Sequence, residues 1–276
     1  MSLVAKRETD KRLLKILRAS LTAGILENGL VSRNEEGTPQ GGPLSPLMSN
    51  LMLDVVTPKA CYAHDDRELE HRGLPFARYA DDCNIYVKSQ RAGERVMESI
   101  TRFLTKKLKL KVNQEKSAVG KPSKRKFLGF SFQVLADQVK RRIAPKAIAT
   151  YKDRIREITR RNRGVSFKTR INELSRYILG WKNYFGFCQT PSVLQRLDEW
   201  TRRRLRAVAW KQWKTRRRRF GKLVSGGAKP AMAAQVAGSS KGTWPLSRTL
   251  PIHMALDNAT LAALGLPALL DPIPAA

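Results

Sequence analysis

Arg78-Tyr79-Ala80-Asp81-Asp82-Cys83-Asn84-Ile85-Tyr86 sets two adjacent carboxylates inside an otherwise β-prone run. Neighbouring like charges repel, and strands bury one face, so something must account for the pair. Phe76–Tyr79 and Cys83–Val87 read as short strands, and the corner between them predicts a hairpin with the acids near its tip. Aspartate is common in turns, so the pair alone is read most simply as a solvated hairpin. The sharper reading is a cation between them, since Mg²⁺ favours carboxylate oxygens and keeps several of its waters.

The rest of the chain is strongly basic. Its 276 residues carry 53 Lys+Arg against 23 Asp+Glu, a formal net charge of +30, and 42% hydrophobic residues supply a core. A charge of that size points to a densely anionic partner, nucleic acid first. It is uneven: residues 1–139 hold 24 basic and 16 acidic side chains, residues 140–276 hold 29 and 7. No apolar run has the length of a membrane span, and Met1-Ser2-Leu3-Val4 runs directly into charged residues, unlike a secretory leader. Cys61, Cys83 and Cys188 are widely spaced and form no CxxC pair, which disfavours zinc and fits a reducing, intracellular setting.

Asp10 is a good N-cap for a helix predicted from Lys11 to Ala23, with Gly24 as its stop. Gly37 to Pro43 is rich in backbone-bending residues and predicts a loop, and Ser45-Pro46 opens a helix. Residues 57–73 read as a polar connection. Gly93 to Leu110 is amphipathic, and Phe127–Val134 is expected to pair with Val139–Ile143. From Pro145 the texture is helical: Ile148, Tyr151, Ile155 and Ile158 share a face, as do Ile171, Leu174, Ile178, Trp181 and Phe185, then Leu194, Leu197, Leu205 and Val208. Gly221 to Gly242 is rich in Gly, Ala and Ser and is expected to be a mobile connection.

Tyr79-Ala80-Asp81-Asp82 followed by a strand resembles the metal-binding hairpin of reverse transcriptases. Roughly forty residues upstream, GTPQGGPLSPLMSN resembles a second motif of those enzymes, and LKVNQEKS from Leu110 to Ser117 looks like the next palm motif. Lys126-Phe127-Leu128-Gly129-Phe130 resembles the turn that grips the primer end. The resemblance implies that Asp81 and Asp82 are catalytic metal ligands in a two-Mg²⁺ site, activating a 3′-hydroxyl and stabilising a leaving pyrophosphate. It implies that Pro39, Gln40, Gly41 and Tyr79 face the nucleotide or template, that Lys116 lies near the triphosphate, and that Leu128, Gly129 and Phe130 hold the primer. Beside this stand plainer readings: a tight turn that needs small residues at Gly41 and Gly42, a surface charge at Lys116, a small strand residue at Cys83.

Residues 146–219 resemble the thumb and maturase region of group II intron-encoded proteins, on the stretches Arg154 to Gly164 and Tyr177-Ile178-Leu179-Gly180-Trp181-Lys182-Asn183-Tyr184-Phe185. SSKGTW from Ser239 and Gly265-Leu266-Pro267 look like the C-terminal segment of bacterial members. Residues 140–170 carry 12 basic and 2 acidic side chains, and residues 202–219 carry 10 and none. The expected RNA contacts are Arg160, Arg161, Arg163, Lys182, Arg202, Arg203, Arg204, Arg216, Arg217, Arg218 and Arg219. Trp181, Tyr184, Trp200, Trp210 and Trp213 interleave with this charge and could stack on unpaired bases; Trp181 and Phe185, on the apolar stripe, read as core.

The expected fold is α+β: a partial polymerase palm over 1–136, a small antiparallel sheet with helices, then a helical thumb/maturase domain over 137–225 and a partly flexible, DNA-binding-like segment over 226–276. The resemblance calls for one further metal-binding aspartate on an upstream strand. Asp10 opens a helix and does not match it, and fingers motifs and a Cys/His-rich nuclease module are not seen. The expectation is a C-terminal portion of an RNA-directed DNA polymerase, weak or inactive alone, with group II intron RNA, a DNA target or primer, dNTPs if active, and an N-terminal complementing chain as partners. Its expected setting is the cytoplasm, in association with nucleoid or RNA. The alternatives are a non-catalytic intron RNA-binding splicing factor and a general nucleic-acid-binding module with a decayed palm.

Overall fold

The computed structural model describes residues 1, 4–5, 8–23, 25–27, 30–32, 44–50, 74–135 and 138–270. Gly24, the loop from Gly37 to Pro43 and the connection over residues 57–73 lie outside them. The chain divides into two compact units, Met1–Lys121 and Pro122–Ala276.

In the first unit, α1 spans Lys11–Thr22. The Asp10 carboxylate caps it, accepting from the Arg12 and Leu13 amides at 2.7 and 3.4 Å and so satisfying two orphan donors of the first turn. Strands β1 (Ile25–Glu27) and β2 (Leu30–Ser32) pair antiparallel. Residues 45–50 are helical, as the Ser45-Pro46 start predicts. Strands β3 (Phe76–Tyr79) and β4 (Asp82–Ile85) form the expected hairpin. Helix α2, Gln90–Lys106, begins three residues earlier than its apolar stripe suggests, because Ser89 Oγ caps it by accepting from the Ala92 amide at 3.2 Å. Gly93 is buried in α2, where a Cβ would stand 2.6 Å from Val119 Cγ1; only glycine permits that approach.

The second unit opens with strands β5 (Phe130–Leu135) and β6 (Gln138–Ile143), paired from Phe130↔Ile143 to Leu135↔Gln138 as predicted. Helices α3 (Pro145–Ile158), α4 (Phe167–Phe185) and α5 (Pro191–Gln212) follow. Their predicted stripes meet in one core. Tyr151, Ile155, Ile171, Leu174 and Leu205 are fully buried, and Phe130 and Ile143 of the hairpin join them. Each fully buried aliphatic side chain contributes about 1.5–3 kcal/mol. Trp181 lies 4.7 Å from the Tyr151 ring and 4.6 Å from that of Phe185, so both Trp181 and Phe185 belong to the core.

The chain continues through α6 (Arg216–Ser225), α7 (Pro230–Gly238), α8 (Thr243–Leu246), α9 (Leu250–Ala255) and α10 (Asn258–Ala263). The mobile connection expected over 221–242 is instead mostly helix. Its small residues are a packing surface: Ala228 and Ala233 are buried with Trp210, Leu223, Leu246 and Ile252 in a second core, and a Cβ on Gly226 would stand 2.3 Å from Ala255 Cα. Small side chains that read as flexibility in one dimension allow close helix contact in three. The architecture is α+β, with small antiparallel hairpins and a predominantly helical second unit. No described helix is long and apolar enough to cross a membrane.

Candidate nucleic-acid site

The acid hairpin is built locally. The register pairs Tyr79 with Asp82, leaving Ala80 and Asp81 as a two-residue loop. Ala80 sits at φ +51°, a left-handed conformation that costs a non-glycine residue about 1–2 kcal/mol. Arg78 holds this turn: its Nη1 donates to the Ala80 carbonyl at 3.1 Å and to Asn50 Oδ1 at 3.3 Å. One guanidinium therefore ties the acid turn to the helical stretch that follows the Pro39-Gln40-Gly41 loop. Nothing in the sequence pattern marks Arg78 for that role; it becomes visible only when the two segments meet. Asp81, Asp82 and Tyr79 are all exposed. The carboxylates offer the hard oxygen donors that Mg²⁺ takes, as part of a ligand set. Among the described residues no third His, Cys, Asp or Glu joins them.

The other motif positions are placed as follows. Pro39, Gln40 and Gly41 lie outside the described residues. Lys116 is exposed on a turn in which its own amide donates to Asn113 Oδ1 at 3.1 Å. Leu128 and Gly129 form a tight reversal in which the Phe127 and Phe130 backbones exchange both hydrogen bonds, at 2.8 and 2.9 Å. Their φ values, +50° and +77°, are the pair that a type I′ turn requires. Tyr184 Oη donates to the Leu128 carbonyl at 3.0 Å, and a Cβ on Gly129 would stand 3.0 Å from the Phe185 ring. The turn is thereby clamped onto α4, while Phe130 is buried. A cleft of about 510 Å³ runs along α2, between Glu94 and Lys106, and is lined by none of the predicted site residues.

The eleven expected RNA contacts separate by environment. Lys182 is a correction: it is buried, and its Nζ donates to the Ala268 carbonyl at 2.8 Å, tying α4 to the C-terminal segment. Helical spacing turns it toward the core, which residue type alone conceals. Lys182→Met is expected to cost about 2 kcal/mol in urea unfolding, by leaving that carbonyl unpaired, and to change RNA affinity less than twofold. Arg163 is engaged by both Glu173 oxygens, at 2.7 and 3.0 Å, which holds the Glu173 carboxyl below its usual range. Arg203 lies 3.8 Å over the Trp244 ring and donates to its carbonyl at 3.1 Å, fastening α8 to α5. Arg202 is half-buried, 3.8 Å from the Asp198 carboxylate.

On α6, Arg216 donates to the Gly238 carbonyl at 2.9 Å, and Arg219 is half-buried over the Trp210 ring. Arg160, Arg161, Arg217 and Arg218 are exposed, with no carboxylate in ion-pair range among the described residues. The aromatics follow the same division: Trp210 is buried, Trp200 and Trp213 are half-buried, and Tyr184 is exposed. Base stacking is thus excluded for Trp210 and Trp181, whose faces are taken by protein.

Sequence reasoning also missed a buried cation. Arg170, 1% exposed, donates from Nη1 to the Ile158 and Arg160 carbonyls, each at 2.8 Å, and from Nη2 to that of Arg163 at 2.7 Å. It shapes the α3–α4 loop from beneath. In the sequence it is one more arginine in a basic stretch.

Comparison with known proteins finds two family models that match in sequence order. A family model described as reverse transcriptase (RNA-dependent DNA polymerase) matches residues 6–132, and one described as group II intron, maturase-specific domain matches residues 148–224. Protein YkfC of Escherichia coli (strain K12) is 29% identical over 147 residues, 43% of this chain and 38% of that protein. The group II intron-encoded protein LtrA of Lactococcus lactis subsp. cremoris is 24% identical over 190 residues, 49% of this chain and 32% of that protein. The chain therefore matches about a third of the length of these relatives.

Proposed function

We propose that the chain, matched by a reverse transcriptase model over residues 6–132 and by a group II intron maturase-specific model over residues 148–224, combines part of an RNA-directed DNA polymerase palm with a surface that holds intron RNA. The observation that carries this reading is the order of parts in one chain. The exposed Asp81-Asp82 turn lies within the reverse transcriptase match, and the exposed arginines at 160–161 and 217–218 lie within the maturase match.

In this reading Asp81 and Asp82 hold Mg²⁺, with a further carboxylate supplied by a complementing segment. When bound, the metal would activate a primer 3′-hydroxyl and neutralise the leaving pyrophosphate. Arg78 keeps the acid turn in register with the segment behind the Pro39-Gln40-Gly41 loop, and exposed Tyr79 borders the bound nucleotide. Lys116 serves the triphosphate, and the rigid Leu128-Gly129 turn supports the primer backbone. DNA primer and dNTPs are the substrates of the complemented form. The chain alone binds group II intron RNA and synthesises little DNA.

Filter binding and primer extension test this together. Affinity for a group II intron RNA is expected to exceed that for random RNA of equal length. With about five phosphates contacted on single strands, it should fall roughly 100-fold between about 50 and 200 mM salt. Robust Mg²⁺-dependent extension by the chain alone would overturn the need for complementation. Equal affinity for random RNA would leave a general nucleic-acid-binding module instead.

A further inference from the structure

On the basic surface of the second unit lies an open cleft of about 510 Å³ lined by Arg156, Glu157, Arg160, Arg161, Asn162 and Arg204. Three elements build it: the last turns of α3, the loop that Arg170 pins from below, and α5. Its charge is not internally balanced. Glu157 is bonded to Arg154, and Arg156 to Asp153, across neighbouring turns of α3. Arg160, Arg161 and Arg204 have no carboxylate in ion-pair range among the described residues.

Arg204 is the unusual member. It is half-buried, its Nε donates to Thr159 Oγ1 at 2.7 Å, and its guanidinium lies 5.5 Å from the Trp200 ring centroid. Lys152 and Arg156 approach the same indole at 5.9 and 5.6 Å. Burial above all, then the charges of Arg156 and Arg161, disfavours the charged form of Arg204. A protein holding a partly desolvated guanidinium near two others, with the one lining carboxylate, Glu157, already paired to Arg154, gains stability when an anion enters. Guanidinium groups grip phosphate bidentately, and the Asn162 amide adds a neutral donor and acceptor. The volume exceeds that of an inorganic anion and suits a small organic ligand, on the order of one or two nucleotides.

We propose that this cleft is a phosphodiester pocket that captures an unpaired RNA segment, with Arg204 as its fixed anchor and Arg160, Arg161 and Asn162 as its rim. It rests on the reading of the second unit as RNA-binding. If that reading fails, the unaltered chain shows no affinity for RNA; if only the pocket fails, the chain binds and the pocket variants bind equally well.

The test is fluorescence anisotropy of the full chain with a labelled single-stranded 12-mer RNA at about 0.1 M salt. R161Q/R204Q is expected to weaken binding about 30-fold and to reduce the dependence on salt by about two phosphate contacts. R161Q/N162A, confined to exposed residues of the loop, keeps the fold intact and is expected to weaken binding about tenfold. The control K229Q/K241Q removes as much charge at exposed sites outside the cleft and should cost less than threefold. Cleft variants that lose no more than this control overturn the proposal. Inorganic phosphate at the same total phosphate concentration should not displace the RNA; displacement would make the cleft a free-anion site and overturn the RNA assignment.

Discussion

Replacing Asp81 and Asp82 together by asparagine is expected to lower Mg²⁺-dependent primer extension by at least about 10³-fold in a complemented, active preparation, while intron RNA affinity changes less than twofold. Asparagine keeps the shape of each side chain and one acceptor oxygen, and both acids are exposed, so the hairpin should fold unchanged. What it removes is the charge that draws a hard divalent cation. A metal that stabilises developing charge in phosphoryl transfer is worth several kcal/mol of barrier, and each 1.36 kcal/mol is a factor of ten. In the proposed reading RNA affinity resides in the second unit's arginines, so two exposed acids of the first unit should leave it unchanged. Synthesis within tenfold of the unaltered protein would remove the hairpin from the metal site. Loss of both synthesis and RNA affinity would indicate misfolding instead, and circular dichroism of the double variant separates the cases.

Arg170→Ala is expected to destabilise the second unit by about 3–5 kcal/mol in urea-induced unfolding. Three carbonyls, that of Ile158 at the end of α3 and those of Arg160 and Arg163 in the loop after it, receive bonds from this single buried guanidinium. Each buried acceptor left without a donor costs about 1–3 kcal/mol, and the vacated volume adds to the loss. Water entering the vacated space offsets part of this. Arg170→Lys keeps the charge but cannot span all three acceptors, so it should recover less than half of the loss. A cost below about 1 kcal/mol would show that the loop holds its shape without Arg170. The same change should weaken RNA binding, because the loop carries Arg160, Arg161 and Asn162 into the cleft.

Much of this protein is legible in one dimension because the relevant physics is local. The Asp10 cap, the acid hairpin, the pairing of Phe130–Leu135 with Gln138–Ile143 and the helical stripes through Ile155, Leu174 and Leu205 depend on neighbours a few residues away. Turn chemistry and the periods of 2 and 3.6 residues report such neighbours directly. The motif order, from the Tyr79-Ala80-Asp81-Asp82 corner to the maturase region, likewise needs no coordinates.

The basic half shows where that legibility ends. Lys182, Arg170, Arg203 and Arg161 are alike in a list of charges, yet the first two are buried structural donors, the third fastens two helices through Trp244, and the fourth lines a cleft. Long side chains can reach either way from a helix, and which way depends on acceptors up to 86 residues distant in the chain. The stretch Gly221 to Gly242 makes the same point: its small residues gain their meaning from Trp210 and Ala255. The sequence by itself determined the order of the motifs, the acid hairpin and the overall cationic character of the chain, all carried by short-range pattern and by composition. Only the tertiary structure decided which cations are engaged within the protein and which stand exposed, because that depends on which carbonyls, carboxylates and rings the fold brings against each one.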